Sequence, residues 1–438
     1  MFTKILNTFF TRIVATIIMF VVVIINTNTF GSEGTGTIAL FILGLTLLQV
    51  LTCFVGGTSL VYLTPRKSIF QLLFLSYSWA LVSNIVGLTI LYGCNLIPRE
   101  YAIHLLILTF IYSVYSINIG VMQGKEDIKL FNLIQLSQVL LLVLSLVGAL
   151  SFCKMKQLVP SIDIYIIAFI FSYLVPAIAS CFYIAKKIDK PNFTHIGSLL
   201  KEMFQLGFWI QLANLTQLLT YRLNYYLIKG FIGRKPLGIY DLGTKLSEAV
   251  WIFPKSICLV QYARISNNHD DDYATALTLG LLKIVFVFSL IAITILYFLP
   301  ASFIAWVFGP DFINSKPVID SLLPGILFLS CMSILSHYFS GYSKYWINAV
   351  SSVIGLAVTA ALGFTLIPLA MERSSMLALR TAGWISSTAY LSSLIFTVIC
   401  FFKNTNVKMR DFLISKKDCA TMKDVINENV TSLKKRFK

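Results

Sequence analysis

Charge is what this chain has least of. Only 12% of its 438 residues are Asp, Glu, Lys or Arg, against about 25% in soluble domains, while 57% are hydrophobic. That composition excludes a soluble enzyme or binding module and indicates an integral membrane protein. Acidic residues are scarcer still, with 19 Asp and Glu against 35 Lys and Arg, a formal net charge of +16. In a soluble protein this excess would suggest nucleic acid. In a membrane protein it reads as charge that sets topology, plus a basic tail, so no nucleic-acid partner is expected.

Other absences narrow the chemistry. There is no G-x-x-x-x-G-K-S/T phosphate loop, so ATP is not hydrolysed by that route. There is no H-E-x-x-H, and the histidines His104, His195, His269 and His337 lie far apart. His269-Asp270-Asp271-Asp272 looks like a metal cluster, but acids just ahead of a helix suit its positive N-terminal end. The cysteines Cys53, Cys94, Cys153, Cys181, Cys258, Cys331, Cys400 and Cys419 are scattered, mostly in apolar stretches, and form no C-x-x-C pair. Buried, inert thiols are therefore expected rather than a disulfide or metal framework. The N-terminal apolar run to about Asn26 is long enough to span and lacks a small-residue cleavage site, so it is not read as a cleavable signal.

Long apolar windows are what the chain has in abundance. They give about twelve expected membrane helices, near 6–29, 37–63, 69–95, 102–123, 131–153, 162–185, 201–229, 238–262, 274–299, 318–341, 347–370 and 379–402. The connectors are short, and some carry turn chemistry, such as Gly31-Ser32-Glu33-Gly34-Thr35-Gly36 and Gly309-Pro310-Asp311. Lys and Arg gather in alternate loops, including Arg66, Lys67, Lys186, Lys187 and Arg264, which places both termini inside.

A repeat divides the chain. Gly31-x-x-x-x-Gly36 follows the first span and Gly233-x-x-x-x-Gly238 follows the seventh. A separation of six spans means two halves of the same orientation, the parallel repeat of many transporters. The expected parts are an N-terminal lobe at 1–190, a C-terminal lobe at 191–403 and a basic cytoplasmic tail at 404–438.

The charges that remain inside spans are the candidate site. Each costs at least about 2.5–3.5 kcal/mol in lipid, so each needs a partner or a wet cavity. Asp241, Lys245, Glu248 and Lys255 fall on one face of the eighth span. Gln211, Asn214, Tyr221, Arg222 and Tyr225 share a face of the seventh, and Lys283 and Arg12 lie within the ninth and first. Pro254 is expected to bend the eighth span just above Lys255. Plainer roles stand beside these. Asp241 suits the first turn of its helix, Lys255 and Arg12 can reach the headgroups, and Lys245 with Glu248 can form a structural ion pair. Cations outnumber acids in the spans, which favours an anionic cargo such as a phosphate or pyrophosphate group, with Tyr, Asn and Gln available to contact sugars.

Several stretches together resemble the bacterial polysaccharide flippases of the Wzx type, in the multidrug/oligosaccharidyl-lipid/polysaccharide superfamily. They are Phe30 to Gly36, Gly56-Gly57 to Pro65-Arg66, Arg222 to Tyr226, Gly238-Ile239-Tyr240-Asp241, Phe308-Gly309-Pro310-Asp311-Phe312, and Ile367-Pro368 ending the eleventh span. The chain departs from its relatives after Pro368, reading Ser374-Ser375-Met376-Leu377 where they tend to carry a Gly-Ala pair.

The resemblance implies an all-α fold of two six-helix lobes around a cationic cavity, and alternating access. It implies an undecaprenyl-pyrophosphate-linked oligosaccharide, an O-antigen or capsular unit, crossing the bacterial inner membrane. Arg12, Arg222, Lys245, Lys255 and Lys283, with Asn214, Tyr221 and Tyr225, would hold the cargo. Glu248 and Asp241 are the candidates for coupling to H+ or Na+, and no cofactor is expected. Membrane lipids and other polysaccharide-assembly proteins are the further partners. The alternatives are a lipid II flippase, a cation-coupled multidrug antiporter, and a membrane-embedded polysaccharide-assembly enzyme.

Overall fold

The computed structural model describes residues 2–267, 270–405 and 407–412, without the side chains of residues 2–10, 12, 259, 263 and 409. His269, Cys419, the side chain of Arg12 and most of the expected basic tail, 406 and 413–438, lie outside the described residues. Among the described residues the chain is all-α. Its helices are α1 (Phe2–Thr52), α2 (Thr58–Leu63), α3 (Ile69–Gly93), α4 (Ala102–Gly124), α5 (Ile128–Met155), α6 (Ile162–Ala185) and α7 (Ile196–Phe231). They continue as α8 (Arg234–Glu248), α9 (Ile252–Ser266), α10 (Asp271–Phe298), α11 (Ala301–Phe308), α12 (Ser315–Gly341), α13 (Tyr345–Arg373) and α14 (Ser375–Asn404).

Among the described residues, nine helices are long and apolar enough to cross a membrane. One of these, Ile13–Thr52, has 40 residues, about twice what a bilayer needs at 1.5 Å per residue. Gly31 divides it, with φ 62° and ψ −167°, a conformation open to glycine because it has no Cβ. Two limbs of α1, together with α7 and the α8–α9 run, make the helices compatible with twelve spans. The last two carry most of the polar candidates, and α8 and α9 are each only 15 residues long.

Several local expectations are corrected. Residues 32–36 are helical, not a turn, and only Gly31 leaves the helix. Similarly, α8 begins at Arg234 rather than Gly238, directly after Gly233 (φ 116°). Asp241 therefore stands well inside α8 and not in its first turn. The distortion attributed to Pro254 falls one turn earlier, as a 3-10 turn at Ala249–Trp251, because a proline ring clashes with the carbonyl four residues before it. Pro368 does not end α13, which runs on to Arg373. Ser374 then caps α14, its Oγ accepting from the Leu377 amide at 3.1 Å. Asp270 caps α10 through the Asp272 and Tyr273 amides, at 3.0 and 3.1 Å, in agreement with the expected helix-terminus role.

The second expected span is interrupted. Helix stops at Thr52 and resumes at Thr58, with Gly57 at φ 58°. Side chains satisfy the carbonyls freed there, since lipid cannot. Trp79 Nε1 donates to Leu51 O at 2.9 Å, and Ser59 Oγ donates to Val55 O and Gly56 O at 3.1 and 2.8 Å.

The described residues form two compact units. The first takes the chain up to Asp241 together with Ala301–Asn314; the second takes Leu242–Pro300 and the chain from Ser315 onward. In the first, one buried cluster includes Leu60, Leu72, Met122 and Met203, and another includes Phe41, Leu48, Leu105 and Tyr165. A backbone crossing also holds this unit together. A Cβ on Gly36 would lie 2.1 Å from Arg234 O, and one on Gly238 would lie 1.8 Å from Ser32 O. The glycine pairs read as a repeat are therefore packed against each other. In the second unit α12 and α14 meet through small residues, as lipid-embedded helices do. Ser387 Oγ accepts from the Gly325 amide at 3.1 Å and donates to Ser321 O at 2.7 Å.

Candidate functional site

Within the first unit, α7 presents the polar face expected of it. Asn214 Nδ2 donates to Gln211 Oε1 at 3.1 Å, and Gln217 Nε2 donates to Tyr221 OH at 3.0 Å. Gln211 and Tyr225 are buried, Tyr221 and Arg222 half-buried, and Asn214 exposed. The Arg222 guanidinium lies over the Tyr225 ring, 5.1 Å from its centroid, an arrangement that gains when water is excluded. Tyr225 is the hinge of this group. Its hydroxyl donates to Asp241 Oδ1 at 3.1 Å, and its ring meets Tyr240 edge-on at 5.7 Å. Asp241 is only 2% exposed. The structure thus joins Arg222, Tyr225 and Asp241 into one group spanning α7 and α8, buried at Tyr225 and Asp241 and half-buried at Arg222.

The second unit holds the lysines. Lys245 and Glu248 close α8 one turn apart, and both are half-buried. Lys255 is exposed, with its ammonium 3.7 Å from the centroid of the Trp251 ring. Trp251 is itself anchored, its Nε1 donating to Ser333 Oγ at 2.8 Å. The 3-10 turn at Ala249–Trp251 sets this arrangement, since it re-aims the chain between Glu248 and Lys255. Lys283 is half-buried on α10, which packs against α9 and α12. Half-buried ammonium groups on membrane helices suit a phosphate-type anion, because attraction strengthens where water is scarce.

Two polar features of the first unit were not anticipated from the sequence. One is a column of aromatic rings. Tyr173 sits 4.8 Å from Tyr112 and 5.1 Å from Tyr115, and Phe169 links it to Tyr165 at 5.4 and 5.5 Å. Its signal was present as Tyr112/Tyr115 on α4 and Tyr165/Phe169/Tyr173 on α6, at helical spacing. The other is a neutral hydrogen-bond network. Thr52 Oγ1 donates to Asn84 Oδ1 at 3.2 Å, and Asn84 Nδ2 donates to Ser113 Oγ at 3.0 Å. Tyr77 OH donates to Asn118 Oδ1 at 2.5 Å, and Asn118 Nδ2 donates to Ser180 Oγ at 2.8 Å. Uncharged Ser, Thr and Asn residues are hard to tell from ordinary helix contacts in a sequence.

A family profile described as "Polysaccharide biosynthesis protein" matches residues 99–317, half of the chain and all of α4 through α11. The chain belongs to that family.

Solved structures agree with the family in fold. The lipid II flippase MurJ, in an inward closed conformation, is similar over 94% of this chain and 89% of its own, at 15% identity and TM-score 0.69. An inward-facing multidrug resistance MATE family transporter of the MOP superfamily covers 90% of this chain and 96% of its own, at 12% identity and TM-score 0.65. An outward-facing MATE transporter covers 92% and 97%, at 13% identity and TM-score 0.62. No curated protein sequence matches the chain. This member of the polysaccharide biosynthesis family is thus an all-α polytopic membrane protein of the MOP fold, and the similar structures are a flippase and transporters.

Proposed function

We propose that the protein is a flippase for an undecaprenyl-pyrophosphate-linked oligosaccharide, an O-antigen or capsular repeat unit, in the bacterial inner membrane. The observation that carries this reading is the pair of half-buried lysines, Lys245 and Lys283, on membrane helices of a polysaccharide biosynthesis family member. Charge at such positions costs stability, so a function that needs cations there accounts for their presence. Lys245 and Lys283 grip the pyrophosphate, Arg222 is the cationic cargo contact of the first unit, and Lys255 and Arg12 lie nearer the headgroups. Asn214, Tyr221 and Tyr225 contact the sugars, while the lipid tail stays in the bilayer. Glu248 and Asp241 respond to the coupling ion, H+ or Na+. Alternating access moves the cargo between two lobes, residues 1–190 and 191–403, with both termini and the 404–438 tail on the cytoplasmic side.

The test is genetic and chemical. A strain lacking the gene should accumulate the lipid-linked precursor and lose surface glycan. Lys245→Ala and Lys283→Ala should each fail to restore the glycan while the protein reaches normal levels in the membrane. Wild-type glycan from both variants would refute the cationic site. An unchanged pool of lipid-linked precursor in the deletion strain would refute the flippase reading itself.

A further inference from the structure

The two glycine joints are each secured from a distant part of the chain, and in the same manner. Gly31 separates the limbs of α1, and Gly233 separates α7 from α8. The residue after each joint begins a helix, and each is held by an acid from a remote connector. Asp311 Oδ2, in the segment between α11 and α12, accepts from the Ser32 amide at 3.2 Å and the Ser32 hydroxyl at 2.8 Å. Glu100, in the segment between α3 and α4, receives both terminal nitrogens of Arg234 in a two-point ion pair.

The residues before the joints repeat the pattern. Asn28 Nδ2 donates to Val307 O at 2.8 Å, and Lys229 Nζ donates to Asn95 O. The α3–α4 connector, and the α11–α12 connector together with the end of α11, therefore each grip both sides of the joint that belongs to the opposite sequence half. All of these contacts lie within the first compact unit. By alternation of the spans, both joints and both connectors lie on the membrane face that loop charge marks as outer. Between the two grips runs the backbone crossing of Gly36 and Gly238.

We infer that these contacts form a reciprocal clasp, which must release for cargo to leave at the outer face. The inference rests on the flippase reading. Its chemistry suits a device that opens. Glu100, Arg234 and Asn28 are partly or largely exposed, so water can replace the Glu100–Arg234 and Asn28–Val307 bonds as they break, while Ser32 meets the exposed Asp311 carboxylate from a buried position. The crossing beneath has no such substitutes, since backbone lies directly on backbone. The clasp opens while the crossing stays closed.

Thr27 reports on the clasp, being 2% exposed with its carbonyl beside Gly309 of the α11–α12 connector. Thr27→Cys is introduced with Cys94→Ser and Cys181→Ser, and cells are treated with a membrane-impermeant maleimide, counting label above the parent without Thr27→Cys. Adding Glu100→Ala and Asp311→Ala should raise the labelling rate several-fold; an unchanged rate in correctly folded protein overturns the clasp. In a second arm, Ser32→Cys and Asp311→Cys are joined by a short reducible bis-methanethiosulfonate reagent. Joining should stop the appearance of new surface glycan, and reductant should restore it to the level of the unjoined pair. Normal glycan from the joined protein overturns the gating role even if the variants of the first arm misfold. The labelling arm needs no cargo, so a deletion strain that keeps its glycan condemns the flippase reading alone.

Discussion

At Gly31 the acid that reaches the following helix bonds an amide and a hydroxyl; at Gly233 it bonds a guanidinium. The backbone solution is shared, with a left-handed glycine, a new helix starting at the next residue, and a second glycine five positions on that lets two helices touch. The chemistry of the two grips differs. Asp311 acts on a helix N-terminus, where an acceptor satisfies an otherwise open amide and meets the positive end of the helix dipole. Glu100 and Arg234 form a surface ion pair, which water and salt weaken. A repeated frame can thus keep its geometry while its side chains diverge, because close backbone approach tolerates only glycine but a grip can be made several ways.

The sharpest way to break this comparison is at the part the joints share. Gly36→Ala and Gly238→Ala should each be strongly destabilising, by at least the ~1–3 kcal/mol typical of overpacking, because the atoms in the way are backbone oxygens. Thermal unfolding of purified protein in detergent checks this. If only one substitution is harmful, the crossing is not shared equally.

Removing the grips should cost less and unequally. Asp311→Ala should cost about 0.5–2 kcal/mol, as loss of a helix cap does, and Glu100→Ala about 0.2–1 kcal/mol, as loss of an exposed pair does. Raising salt should erase the Glu100 effect and leave most of the Asp311 effect. Equal losses with equal salt dependence would show that the two grips are the same in kind.

The smallest effect is expected at the face that loop charge marks as inner. There the Lys187 ammonium, at 2.8 Å, and then the Tyr183 hydroxyl hold the Asp127 carboxyl below its usual range. A depressed carboxyl adds stability above its unfolded value of about 3.9 and loses it as pH falls through the folded value. Acid unfolding should therefore contain a small contribution below about pH 4, which Asp127→Asn removes. An identical acid profile for the variant would show that this exposed pair contributes nothing measurable.

Much of this was legible in one dimension. Apolar runs located α3 to α6, α10 and α12 to α14 to within a few residues, because lipid imposes length and composition on each helix separately. The glycine pairs are visible in the sequence as a repeat, yet the first of them, Gly31 to Gly36, carries the composition of a turn. Glycine disfavours helix in isolation, but the crossing of two helices at Gly36 and Gly238 requires it. The polar stripe of α7 was legible from its period, whereas the Tyr225–Asp241 contact was not. Taking Asp241 as a first-turn charge followed from starting α8 at Gly238, four residues late.

Sequence alone determined that the chain is helical and membrane-embedded, where its apolar spans lie, and which few of them carry charge. These are local properties, decided by the solvent around each segment. Only the tertiary structure decided that Asp311 holds Ser32, 279 residues away, and that Arg234 meets Glu100, 134 residues away. It also decided that the α11–α12 connector belongs with the first unit. Such pairings depend on which helices become neighbours, and periodicity within one helix carries no record of that.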